Sequence, residues 1–191
     1  MWFDDPDYAD VVIVLDDGSR INAHKIVLCK RSEYFRMLCG QGSQFAVRAM
    51  TSPALYGAPL IKCQERNQRD LPIRDDDPAA LTAVVKYLYL CKWDELPSAT
   101  PGWNFFLNVK LTADKYLLST LSAKADTAFR EAASAVTDIG QAYPIIQRVN
   151  SMASHDDYCV GFAETLRRDN LGQLLRHERY RTDLDADADL L

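Results

Sequence analysis

The first patterned stretch of the chain is an unbroken apolar run, Val11 to Leu15, in which β-branched side chains predominate. Such a run suits a well-covered pleated strand. "DDGS" at 16–19 then supplies a turn, because Gly18 tolerates positive φ and the aspartates can bond their own backbone. "RINA" returns with Ile21 and Ala23 pointing the same way, so 11–23 reads as an antiparallel hairpin. From His24 the period lengthens. "HKIVLCKR" has one apolar side and one basic side, Ser32 interrupts as an N-cap, and Glu33 falls in the first turn of the next helix. "EYFRMLC" then sets Tyr34, Phe35 and Leu38 on an apolar stripe, which predicts a tight helical pair after the strands.

Between 40 and 70 the periodicity disappears, and Gly, Ser and Pro recur irregularly. A connection this long is uncommon in a compact domain and is usually functional or mobile. "LPI" at 71–73 reads as a short strand. Order returns at "DDDPAALTAVVKYLYLCKW", where Asp77 is placed to cap, Pro78 takes the first helical position, and Leu81, Val84, Val85 and Leu88 follow at helical spacing. After a loop around Pro97 and "TPG", "FFLNVKLTADKYLL" carries apolar residues on more than one side, which predicts a helix covered from several directions. "STLSAKADTAFREAASAV" predicts another helix, using Leu121, Ala125, Ala128 and Phe129. Beyond it come an apolar knot, "YPIIQRVNSM", one or two short helices over 156–180, and an acidic tail expected to fray.

Composition narrows the function. The formal charge is −5, and the 22 Lys and Arg are scattered, which disfavours nucleic acid as the primary ligand. The N-terminus lacks the pattern of a signal peptide, and no apolar stretch is long enough to span a bilayer, so no membrane partner is expected. Cys29, Cys39, Cys63, Cys91 and Cys159 are odd in number and form no C-x-x-C pair, which points to reduced thiols inside the cell.

The candidate chemistry centres on Asp10 and His24. The hairpin can bring them together, and a buried Asp10–His24 hydrogen bond would lock the first strand to the start of a helix. Catalysis would need a nucleophile that His24 can reach, and Cys29 does not share its face. The scattered His and Cys positions set out no metal site, and no Gly-rich phosphate loop opens a helix. No catalytic residue and no cofactor is expected. The aromatic residues Tyr87, Tyr89, Trp93, Phe105, Phe106 and Tyr116 are expected mostly in the core, with exposed members at helix ends anchoring a protein partner.

Taken together, these segments resemble the BTB/POZ domain family. "ADVVIVLDDGSRINAHKIVLCKRSEYFRML" looks like its opening, with Asp10, His24 and Ser32 to Phe35 at the recurring positions. "DLPIRDDDPAALTAVVKYLYL" looks like its later strand and helix, and "ADKYLLSTL" like its "Ala-Asp-Lys-Tyr" helix. The resemblance implies an α/β (α+β) domain over 8–133, a small sheet opened by a β-hairpin and covered by helices, followed by a helical extension at 134–191 with an acidic tail. It looks most like stand-alone fungal members, with an unusual insertion at about 46–62 that is either a surface loop or retained intron sequence.

The resemblance also implies a protein–protein interaction module in the cytoplasm or nucleus. Several such domains are adaptors for cullin-3 ubiquitin ligases, and others self-associate in transcriptional regulators. On this chain the implied partner-facing positions are Tyr34, Phe35, Met37 and Leu38, with Tyr89 and Trp93 at the later helix end, while Asp10, His24 and Ser32 have structural roles. Only seven residues precede Tyr8, which disfavours the domain-swapped dimer of members with a longer front. "CQE" at 63–65 is the remnant of an element that supports cullin contact elsewhere in the family.

Overall fold

The computed structural model describes residues 2–39, 70–96, 102–136, 138–150 and 157–182. The expected insertion at 46–62, the "CQE" remnant and the acidic tail lie outside the described residues. The chain forms two compact units, 1–127 and 128–191.

In the first unit the β-branched run forms β1 (Val11–Val14), which pairs antiparallel with β2 (Arg20–Ala23), Ile13 opposite Ile21. The turn between them closes as its residues dictate. Gly18 sits at φ 81°, and Asp17 Oδ1 accepts from the Ser19 amide at 2.8 Å and the Ser19 hydroxyl at 2.6 Å. These bonds hold the exposed Asp17 carboxyl below the usual carboxylate range. On the other edge of β1 lies β3 (Asp70–Pro72), parallel, with Leu71 opposite Ile13. The three-stranded sheet is therefore mixed, in the order β2-β1-β3. β3 begins one residue before the expected "LPI", and Ile73 continues its pairing by donating to the Val14 carbonyl at 2.9 Å.

Helices cover the sheet. α1 (Lys25–Arg31) and α2 (Glu33–Cys39) are separated by Ser32. α3 (Pro78–Leu90) starts where its sequence says it should, with the Ala80 amide donating to Asp77 Oδ1 at 2.8 Å. α4 (Trp103–Lys115) buries Leu107, Val109, Lys110, Thr112 and Ala113, more than one side of the helix. α5 (Ser119–Ser134) buries Leu121, Ala125 and Phe129, and the division between the two units falls within it. Ile13, Leu28, Phe35, Val84, Val85 and Tyr116 share one interior.

Tyr116, just past α4, ties several elements of this unit together. Its ring stacks on Phe35 at 5.1 Å between centroids, and Tyr34 meets it edge-on at 4.7 Å. Its carbonyl accepts from the Ser32 hydroxyl at 2.9 Å, and its phenol donates to Asp76 Oδ2 at 2.7 Å. Lys115 Nζ meets the same carboxylate oxygen at 2.8 Å. Burial, and then the charge and hydrogen bond of Asp76, push the Tyr116 phenol far above its ordinary range.

The next residue, Leu117, closes α4. It stands at φ 57°, its amide bonds to the Asp114 carbonyl, and the Leu118 amide reaches back to the Ala113 carbonyl at 2.9 Å. This is a Schellman closure with a leucine where glycine is the usual occupant.

The second unit contains α6 (Ile139–Asn150) and α7 (Asp157–Leu174), followed by a helical turn at 178–182. The apolar knot expected around 143–152 is a helix that accommodates Pro144, whose missing N–H falls little more than one turn from the start. The region expected to hold one or two short helices carries a long one and the start of the helical turn at 178–182; Gly161 and Gly172 lower the stability of the long helix without breaking it. Tyr143, Ile146, Leu174 and Tyr180 form a small core, with the two tyrosine rings edge to face at 5.7 Å.

Two substitutions test this account. Below pH 10 the Tyr116 phenol is protonated in folded and unfolded chains alike, so its contribution is fully present. Above pH 10 the unfolded chain gives up the proton that folded Tyr116 keeps, and stability falls by up to about 1.4 kcal/mol per pH unit from this group. Tyr116→Phe should cost roughly 1–3 kcal/mol at neutral pH, and the gap to the unaltered chain should narrow above pH 10 in urea titrations. Leu117→Gly relieves the left-handed strain of a side chain that is 53% exposed, and should raise stability by about 0.5–1 kcal/mol in the same assay.

Candidate functional site

The N-terminal segment, α1 and the end of α3 meet around His24, which is buried. Its Nε2 lies 2.9 Å from the Asp7 carbonyl oxygen, which can only accept, so Nε2 carries the hydrogen. Nδ1 is then an acceptor and takes the Tyr89 hydroxyl at 2.9 Å, while the Tyr89 oxygen accepts the His24 backbone amide at 2.8 Å. All three polar contacts close on one another, which is the arrangement a buried polar cluster needs. Burial pushes the Tyr89 phenol up; the His24 amide opposes this, and the charge of Asp10 adds to it. Trp2 packs against the His24 ring at 5.7 Å and Phe3 against Tyr89 at 5.9 Å, so the N-terminal segment is held in place by the same pair.

The expected Asp10–His24 bond is not made. Asp10 is exposed, and its carboxylate accepts from the Lys25 amide at 2.7 Å. The open N–H groups at the start of a helix compete for a nearby carboxylate, and here they win it. His24 keeps its locking role through Tyr89 and Asp7 instead. Ser32 does cap α2, its oxygen accepting from the Phe35 amide at 3.3 Å while its hydroxyl donates to Tyr116.

The expected partner-facing residues divide. Phe35 is 0% exposed and stacked on Tyr116, so it is a core residue and cannot touch a partner in this fold. Tyr34, Met37 and Leu38 are half-buried along α2 and keep one side toward solvent. Trp93 is half-buried against Phe106 at 5.9 Å, and Tyr89 is tied to His24. α2 therefore presents three residues together, while Tyr89 and Trp93 belong to the end of α3 and the turn after it.

Sequence reasoning missed a groove above the His24–Tyr89 pair. It measures about 380 Å³ and is walled by Trp2, Ile26, Val27 and Leu88, with Lys30 and Arg31 along one side. Ile26 is 77% exposed and Trp2 65%. A signal was present for Ile26. It stands two residues before Leu28, which is fully buried, and two helical positions lie on nearly opposite faces. Trp2 carried no such signal, because its place depends on contacts with His24.

Among the described residues no cluster of His, Cys, Asp and Glu could hold a metal ion, and no helix is long and apolar enough to cross a membrane. Tyr89→Phe, which removes two hydrogen bonds from His24, should cost roughly 1–3 kcal/mol in chemical denaturation.

Residues 2–132 match the BTB/POZ domain family. Among solved structures, the BTB (Tramtrack and Bric a brac) domain of human gigaxonin is similar, at 16% identity and a TM-score of 0.41, over 63% of this chain and 77% of that one. None of the curated proteins matches the chain.

Proposed function

We propose, from the premise that the chain belongs to the BTB/POZ domain family, that it is an adaptor presenting a bound protein to a cullin-3 ubiquitin ligase. The family is a non-catalytic protein–protein interaction fold, and the chain is such a module. The observation that carries the narrower reading is the outer side of α2. There Tyr34, Met37 and Leu38 stay half-exposed around the fully enclosed Phe35. A rigid helix fixed from below by one aromatic anchor gives adjacent apolar side chains a defined position, which lowers the ordering cost of binding. The helices after the hairpin are also where members of this family that bind cullin make contact.

A self-associating module without a ligase role is the competing reading, and the exposed Ile26 and Trp2 favour it. Calorimetric titration of the chain with the N-terminal domain of cullin-3 separates the two. Met37→Glu should weaken binding at least tenfold, because a charge is forced into a desolvated contact, while the circular-dichroism melt stays unchanged. A full chain that binds no cullin-3 overturns the adaptor role and leaves the interaction module standing.

A further inference from the structure

We propose that the groove between the N-terminal segment, α1 and the end of α3 docks an acidic peptide segment of a partner protein, anchored by an aliphatic or aromatic side chain. The proposal rests on the chain being a protein-interaction module, but not on cullin-3. The groove's volume of about 380 Å³ is at the small end for ligand pockets, about 300–1,000 Å³, which suits one or two inserted side chains better than a cofactor. Its walls are Trp2, Ile26, Val27 and Leu88, and both Ile26 and Trp2 stand largely in solvent when the groove is empty.

Charge identifies the occupant. Lys30 and Arg31 line the groove, and Lys25 begins the same helix. Among the described residues none of the three has a carboxylate within ion-pair distance; Arg31 instead contacts Cys91 Sγ at 2.8 Å. Three acids of the neighbouring segment already accept backbone hydrogen bonds. Asp4 accepts from the Asn22 amide, Asp5 from the Asp7 amide and Asp10 from the Lys25 amide. In a chain with a formal charge of −5, cations with no carboxylate partner among the described residues, beside an exposed apolar cleft, ask for carboxylates from outside. The exposed Ile26 and Trp2 would also suit a second copy, but a contact in which α1 meets α1 at the twofold axis sets Lys30 and Arg31 near the same charges on its mate, so the acidic peptide is the better occupant.

Selection of a randomised 12-residue phage-displayed peptide library on the full chain tests this. Selected peptides should carry Asp or Glu flanking an apolar residue, and a fluorescein-labelled copy should bind the chain. Doubling the salt should weaken that binding, and the double variant Lys30→Glu, Arg31→Glu should weaken it at least tenfold. Ile26→Asp should do the same with an unchanged circular-dichroism spectrum. Peptides without acidic enrichment, acidic peptides unaffected by both variants, or no binders at all would overturn the proposal. Light scattering showing a dimer that Ile26→Asp converts to monomer would assign the groove to a second copy and overturn it as well. Peptides that bind another face leave the interaction module intact while removing this groove from it.

Discussion

The first unit depends on a buried phenol. Tyr116 is enclosed on Phe35 and Tyr34, yet it also carries a hydroxyl and a carbonyl, each of which must find a partner away from water. The hydroxyl takes Asp76 just before α3, and the carbonyl takes Ser32 between α1 and α2. Those two bonds fix α4 against helices whose sequence positions are far removed from it. Apolar packing alone would allow these helices to slide, because hydrophobic burial is non-directional. Hydrogen bonds with defined geometry remove that freedom, and the stacked rings then have one way to meet.

The readable parts of the fold were those with local causes. The hairpin followed from β-branched residues before Gly18, and the start of α3 from Asp77 and Pro78. α4 was legible as a helix covered on several sides. What failed was any inference that needed partners distant in sequence. The hairpin suggested an Asp10–His24 bond, but the carboxylate takes the Lys25 amide and the imidazole takes Tyr89, 65 residues away. Phe35 was read as both core and surface, since a helix stripe does not say which of its members the third layer will cover. Tyr116 decided that, from a different helix end. The apolar knot around Pro144 turned out to be a helix, because the apolar side of α6, with Ile145, Ile146 and Val149 buried, outweighs one lost hydrogen bond.

α1 shows how one short helix can serve the interior and leave a surface free. Leu28 faces the core and is fully buried, and Ile26 faces away from it. Lys30 and Arg31 extend beside Ile26 without carboxylate partners among the described residues. Apart from the Arg31 contact with Cys91, these side chains make no bond that holds the fold among the described residues, which leaves them open to recognition. The floor below them is different. His24 bonds Tyr89 through its ring and its amide and Asp7 through its other ring nitrogen, and disturbing the pair would move Trp2 and Phe3 as well.

That separation bears on how such a module can change partners. If the residues that touched a partner also held the core, each change in specificity would destabilise the fold by the cost of a cavity or an unpaired polar atom. Here the buried polar pairs, Tyr116 with Asp76 and His24 with Tyr89, set the positions of α1, α2 and the end of α3 from beneath. The exposed Ile26 and the half-exposed Met37 then ride on helices whose placement they do not determine. A substitution at either position alters what the surface presents while leaving the two locks closed. If these surfaces bind partners as proposed, recognition falls mainly to side chains other than the polar pairs that hold the same helices, with Trp2, packed on His24, the point where the two meet.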